Sequence, residues 1–103
     1  MKLLLIFDGY ADVIDVPVFV VNNKGKMKKK FLNWLYNSKN NHKYWGTIRT
    51  PSGETFTGVC YGSEAFIEWL NSKVLLNNNG QIASLVESGL VDYQNLVYPS
   101  IFF

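Results

Sequence analysis

Two stretches of this chain carry the same pattern. Phe31-Leu32-Asn33-Trp34-Leu35-Tyr36-Asn37-Ser38-Lys39 lies on Phe66-Ile67-Glu68-Trp69-Leu70-Asn71-Ser72-Lys73 once Tyr36 is treated as a one-residue insertion. In each, a Phe and a Trp three residues apart must share one face of an α-helix. Each copy also closes a unit that begins with two β-prone runs around a turn. The chain therefore reads ββα followed by ββα. Such a chain folds as an α+β domain, with one small antiparallel sheet of two hairpins and both helices packed on the same face. Two origins fit the pattern: an internal duplication, or the ordinary look of an amphipathic helix.

The elements follow from periodicity and turn chemistry. Lys2 to Phe7 is an apolar run closed by Asp8-Gly9, which reads as a strand and a turn. Ala11 to Val21 is rich in β-branched residues. Ile14, Val16, Val18 and Val20 alternate onto one face with Asp12 in register, giving the hairpin partner, and Pro17 marks an edge or a bulge. Asn22 or Asn23 then caps a helix whose stripe is Met27, Phe31, Trp34 and Leu35 and which ends near Asn37. KYWGTIRT and TFTGVCY, joined by TPSGE, form the second hairpin.

Ser63 caps the next helix, with Glu64 in its first turn. Phe66, Ile67, Leu70 and Val74 supply its buried stripe and Trp69 its margin. Asn77, Asn78, Asn79 and Gly80 end that helix or the loop after it. Ile82, Leu85 and Val86 predict a short third helix closed by Gly89. Leu90 to Phe103 is apolar without a clean period, so it is a fifth strand, a docked extended tail, or both.

At 103 residues the chain is one domain, 1–103, long enough to bury a core without metals or disulfides. Apolar residues make up 48% of it, which excludes intrinsic disorder. Ten basic against eight acidic residues leave +2, too little to imply nucleic acid or a membrane surface unless the charges cluster. Cys60 is the single cysteine, so no disulfide forms within the chain. The opening apolar run stops at Asp8, short of a signal-peptide core, and no run approaches the roughly 18 residues of a membrane span. The expectation is a cytoplasmic protein with no membrane partner.

Chemistry-bearing residues are few. His42, the only histidine, sits in an asparagine-rich stretch without a sequence neighbour to orient it, and reads as a solvated or turn-stabilising residue whose loss leaves the fold nearly intact. Cys60 falls within a strand, where a free cysteine behaves as a small apolar residue. Asp8, Asp12 and Asp15 could gather a hard cation, but their spacing matches no known loop, and a turn aspartate with two solvent-facing strand residues is the simpler reading. There is no phosphate loop, no paired Cys or His ligands and no nucleophile elbow. The sequence reads as a non-enzyme with no cofactor and no metal.

One charge cluster stands out: five lysines in the seven residues from Lys24 to Lys30. Lys26, Lys29 and Lys30 point away from the Phe31 stripe, and Lys24 and Lys28 flank it. Lys26, Lys29 and Lys30, with Tyr36, His42, Lys43, Tyr44 and Arg49, form the expected partner-binding set, while a merely solvated face is the bland alternative. The apolar tail from Tyr98 to Phe103 must also be buried, either on its own domain or in a partner or twin subunit as a homodimer.

The run F-x-x-W-L-Y-N-x-x-N-x-H-x-Y-W leading to A-F-I-E-W-L-N resembles small proteins of Gram-positive bacterial phages and mobile elements, over residues 1–76. The resemblance carries no residue roles. It implies a class, proteins that bind and block a bacterial host protein such as a defence nuclease. The expectation is thus a non-enzymatic protein-binding module. The alternative is a nucleic-acid binder using the Lys24 to Lys30 strip, with Tyr36, Tyr44 or Trp45 stacking on bases.

Overall fold

In the computed structural model, which describes residues 1–76 and 80–103, the first hairpin forms as the sequence predicts. Strands β1 (Lys2–Phe7) and β2 (Tyr10–Asp15) pair antiparallel from Lys2 opposite Asp15 to Phe7 opposite Tyr10. Gly9 closes the turn at φ 84, a left-handed conformation that a side chain would strain. Both faces of the hairpin are buried. Leu3, Leu5 and Ile14 enter the main core, and Leu4, Ile6, Ala11 and Val13 a second one.

β2 does not run on to Val21 as expected. It stops at Asp15, and Val18–Asn22 is a short helix, α1, with Pro17 at its N-cap position. The ring supplies a helix-ready φ of −60° and no N–H for a ladder, so the chain turns where the apolar alternation alone would continue. Val20 and Val21 are buried and Val18 is exposed.

Helix α2 (Lys24–Leu35) buries Met27, Phe31 and Leu35, with Trp34 half-buried beside them. Asn23 occupies its N-cap position, but the amide of that side chain turns back to the Phe19 carbonyl (2.7 Å) and closes α1 instead.

The second hairpin also forms. β3 (Trp45–Arg49) pairs with β4 (Thr55–Val59) around a turn in which Gly53 has φ 89. The two hairpins do not share a sheet, however, which corrects the expected architecture. β3 and β4 stand as a two-stranded sheet, while the main sheet has the order β5-β2-β1-β6. Thr47, Arg49, Thr55 and Thr57 are exposed, and strands so polar cannot fill places whose two faces both lie in core.

Helix α3 (Ser63–Trp69) continues into a π turn, Leu70–Val74, closed by the Leu75 N–H to the Leu70 carbonyl at 2.7 Å. Phe66, Trp69 and Leu70 are buried and Ile67 and Val74 only half-buried, so the core stripe is rotated from the one expected. Gly62, not Ser63, is the N-cap residue. The expected terminator Asn77 to Asn79 lies outside the described residues.

Where a third helix was expected, Ser84–Leu90 forms strand β5 against the free edge of β2. Two register shifts bulge the pair, and Gly89 at φ 72 sits in one of them. Asn71 fixes the entry, its amide bonded to both the N–H (2.7 Å) and the carbonyl (3.0 Å) of Ala83.

The tail is a strand and docked at once. β6 (Ser100–Phe102) runs parallel to β1 on the opposite edge. Ile101 is buried, and the Phe103 ring packs on Phe7, Phe31 and Phe66. Since β5 and β6 are both parallel to β1 at opposite edges, the chain between them must cross one face of the sheet. It does so over Leu4, Ile6, Ala11 and Val13, against which Leu90, Tyr93 and Leu96 pack. The product is an α+β domain with α2 and α3 on one face of a mixed sheet and an irregular strap on the other.

Candidate functional site

The stretch that holds the only histidine is the end of α2. The Tyr44 N–H donates to His42 Nδ1 (3.2 Å), which makes Nδ1 the acceptor and leaves Nε2–H to donate to the Leu35 carbonyl at 2.8 Å. Asn40 Nδ2 donates to the Trp34 carbonyl (2.8 Å), and Trp45 Nε1 to the Asn40 carbonyl (2.7 Å). The His42 and Asn40 bonds serve carbonyls of the last helical turn, giving Leu35 a partner and adding to the long Asn37 N–H bond (3.4 Å) on Trp34. The imidazole also lies parallel to the Trp45 indole at 5.3 Å, with Trp34 at 4.7 Å. His42 therefore joins α2 to β3, and neither ring nitrogen is left to offer a partner.

Lys43 and Tyr44, expected at the binding surface, join the same scaffold to α3. Tyr44 is buried and its hydroxyl donates to Glu68. Lys43 lies between Glu64 (3.1 Å) and Glu68 (3.5 Å), acids one turn apart on α3. Burial first, then the Glu68 carboxylate, raise the Tyr44 phenol well above its ordinary range. The Tyr44 hydrogen bond is the chief cause that lowers Glu68, and the hydrogen bond to Glu64 the chief cause that raises Lys43.

What remains on the outside is the far face of α2. Lys26, Lys29 and Lys30 are exposed, and Lys28 is half-buried. At spacings of three and four residues Lys26, Lys29 and Lys30 form one ridge, which Asn33 and the exposed Tyr36 continue at the helix end, while Lys28 lies around the helix toward the buried Leu35 side. The helix contains no acidic residue, and among the described residues the four lysines have no acidic partner. Lys24 is different: its ammonium donates to the Ser100 carbonyl (3.0 Å) and holds β6 in place. Arg49 is exposed at the tip of the second hairpin, on β3 and not on the helix.

The other candidates change character. Cys60 lies just past β4 and is exposed, not packed within a strand. Asp15 binds the chain's terminal amine at 2.8 Å, whose hydrogen bond and charge lower its carboxyl. Asp12 is not solvent-facing but buried, accepting hydrogen bonds from the Ser63 hydroxyl and from the Gly89 N–H at 2.9 Å. Among the described residues no group of His, Cys, Asp and Glu could hold a metal ion. Nor is any helix among them long and apolar enough to cross a membrane.

Sequence reasoning missed the Asp12 junction, although the signal was there: an aspartate in register with the apolar face of a strand needs buried partners. Above it, between α3 and β5, lies a recess of about 500 Å³ lined by Tyr10, Ile67, Leu85, Glu64 and Glu68. A smaller one, about 280 Å³, lies beside Trp45 and is lined by Ser38, Asn40, Asn41 and Thr57. Set against protein-family models, curated proteins and solved structures, the chain matches none of them.

Proposed function

We propose that this chain is a non-enzymatic protein-binding module whose α2 lysine ridge docks on an acidic surface of its partner. The class implied by its resemblance to small phage and mobile-element proteins makes that partner a host protein, such as a defence nuclease, which binding inhibits or modulates. The observation that carries the reading is the exposed set Lys26, Lys29 and Lys30 on a helix with no acidic residue. Lysines at the N-terminal end of a helix oppose its dipole, and those three or four apart repel one another. A ridge that costs stability in the free protein is relieved when anionic groups cover it. His42, Lys43 and Tyr44 support the reading indirectly, since their polar groups serve α2, β3 and α3.

A second reading has one observation of its own. The recess beside Trp45, with its amide and hydroxyl lining, is of a size and chemistry to take an unstacked nucleobase while the ridge follows phosphates.

The test reverses Lys26, Lys29 and Lys30 together to Glu. Circular dichroism should be unchanged. Association with the partner captured from host lysate should slow and lose its salt dependence, because the ridge acts by steering. A triple variant that binds as fast as the parent leaves the ridge a solvated face and overturns the proposal. Binding of unrelated duplex or single-stranded DNA, with a steep salt slope that the triple change flattens, would replace it with the nucleic-acid reading.

A further inference from the structure

The helical layer does not cover the whole main sheet. α3 lies against β5, yet Leu85, which pairs with Ile14 and shares its face, stays exposed. Every residue from Ser84 to Gly89 is exposed, and β5 is the outermost strand of the sheet. Exposed edges are usually blunted by Lys, Pro or brevity. β5 has seven residues, SLVESGL, with neither Lys nor Pro. Its two bulges lie in the ladder toward β2 and raise its twist, while Leu85 and Val86 still face outward.

The charge at this edge is one-sided. Glu64 and Glu68 flank the recess on the helix side, and Glu87, which pairs with Val13, lies on the other face of the sheet. Among the described residues Lys43 is the one cation bound to the two α3 glutamates. The recess between them has apolar walls in Tyr10, Ile67 and Leu85. Apolar walls under an acidic rim match a lysine or arginine side chain, whose stem packs while its head stays at the rim. The floor needs nothing from a ligand, because Asp12 is already satisfied by Ser63 and Gly89.

We propose that β5 and this recess form a docking site for an extended cationic segment of another protein, which adds as a strand to the β5 edge and lays a Lys or Arg stem on Tyr10, Ile67 and Leu85. Main-chain bonds supply affinity in this mode and the side-chain recess supplies specificity. Alternation along the added strand puts every second side chain toward Glu64 and Glu68 and the others toward Glu87. The chain's own lysine run is wound into α2, so a second copy does not provide the segment. The site is separate from the α2 ridge and stands or falls independently of it.

The probe is a labelled seven-residue peptide of alternating Lys and Val, compared with the Glu and Val peptide of the same length by fluorescence anisotropy. The Lys peptide should bind at least tenfold more tightly, and binding should slow hydrogen exchange at the amides of Ser84 to Leu90. Glu64→Gln, an exposed change whose one ion-pair partner among the described residues is Lys43, should weaken it severalfold, and the Lys26, Lys29, Lys30 triple reversal should not weaken it. Equal affinity for the two peptides overturns the proposal. So does binding that leaves β5 exchange unchanged, or binding to Glu64→Gln at parental strength.

Discussion

If the lysine ridge costs stability, then changing one of its lysines should make the protein more stable while it binds less well. Lys26→Glu is the sharpest case. Lys26 is exposed in the first turn of α2, with Lys29 and Lys30 three and four positions on. Each like-charge pair becomes an attractive one, a swing of about 0.4–1 kcal/mol per pair. A negative charge in the first turn also replaces a positive one, worth about 0.6–2 kcal/mol at low salt. Exposure and screening favour the lower part of that sum, about 1.5–2 kcal/mol, so the melting temperature should rise by roughly 6–10 °C for a domain of this size. Thermal melts at about 10 mM and 1 M salt decide it, since the Debye length falls from about 30 to 3 Å and most of the gain should vanish. A variant that melts at or below the parent in low salt, or whose gain persists in 1 M salt, refutes the claim that the ridge is electrostatically strained.

Three more outcomes follow from the packing. His42→Ala should destabilise by about 1–2 kcal/mol in urea titration, because it strips the Leu35 carbonyl and the Tyr44 N–H of their partner; a change within error would mean water replaces the ring fully. Trp69→Ala should cost about 3–5 kcal/mol, as Trp69 is buried against Phe31 and Phe66, and Trp34→Ala clearly less, as Trp34 is half-buried; equal losses by denaturant titration would contradict the rotated α3 stripe. Because the Tyr44 phenol is raised above its unfolded value, its contribution is complete below about pH 10 and is lost as pH climbs from there toward the folded value. Tyr44→Phe should therefore flatten the alkaline fall in stability, measured by melts from pH 8 to 11, and a fall unchanged by the substitution would assign it to another group.

The ridge itself was legible without a structure. On a helix, residue spacing fixes which side chains share a face, so Met27, Phe31 and Leu35 go inward and Lys26, Lys29 and Lys30 outward whatever the helix packs against. Both hairpins were legible for a similar local reason, because Asp8-Gly9 and Pro51-Ser52-Gly53 accept turn backbones that few other residues do. Pro17 was read as an interruption of a strand and acts as the start of a helix. Its missing N–H permits either, and the core position of Val20 and Val21 settled the matter.

Tertiary structure alone decided the rest. SLVESGL has neither the length nor the period to choose helix or strand, and it became β5 because β2 offered an unpaired edge and Asn71 held Ala83 beside it. The tail shows no period because β6 contributes three residues to a ladder set by β1, and its final ring fills a gap among Phe7, Phe31 and Phe66. His42, Lys43 and Tyr44 are polar side chains in a short linker, and local sequence cannot say whether such groups face water or a partner within the chain. The Leu35 carbonyl is close to His42 along the chain, but Glu64 and Glu68, the partners of Lys43 and Tyr44, lie 21 and 24 residues away and come into reach only when α2 and α3 dock on the same face of the sheet.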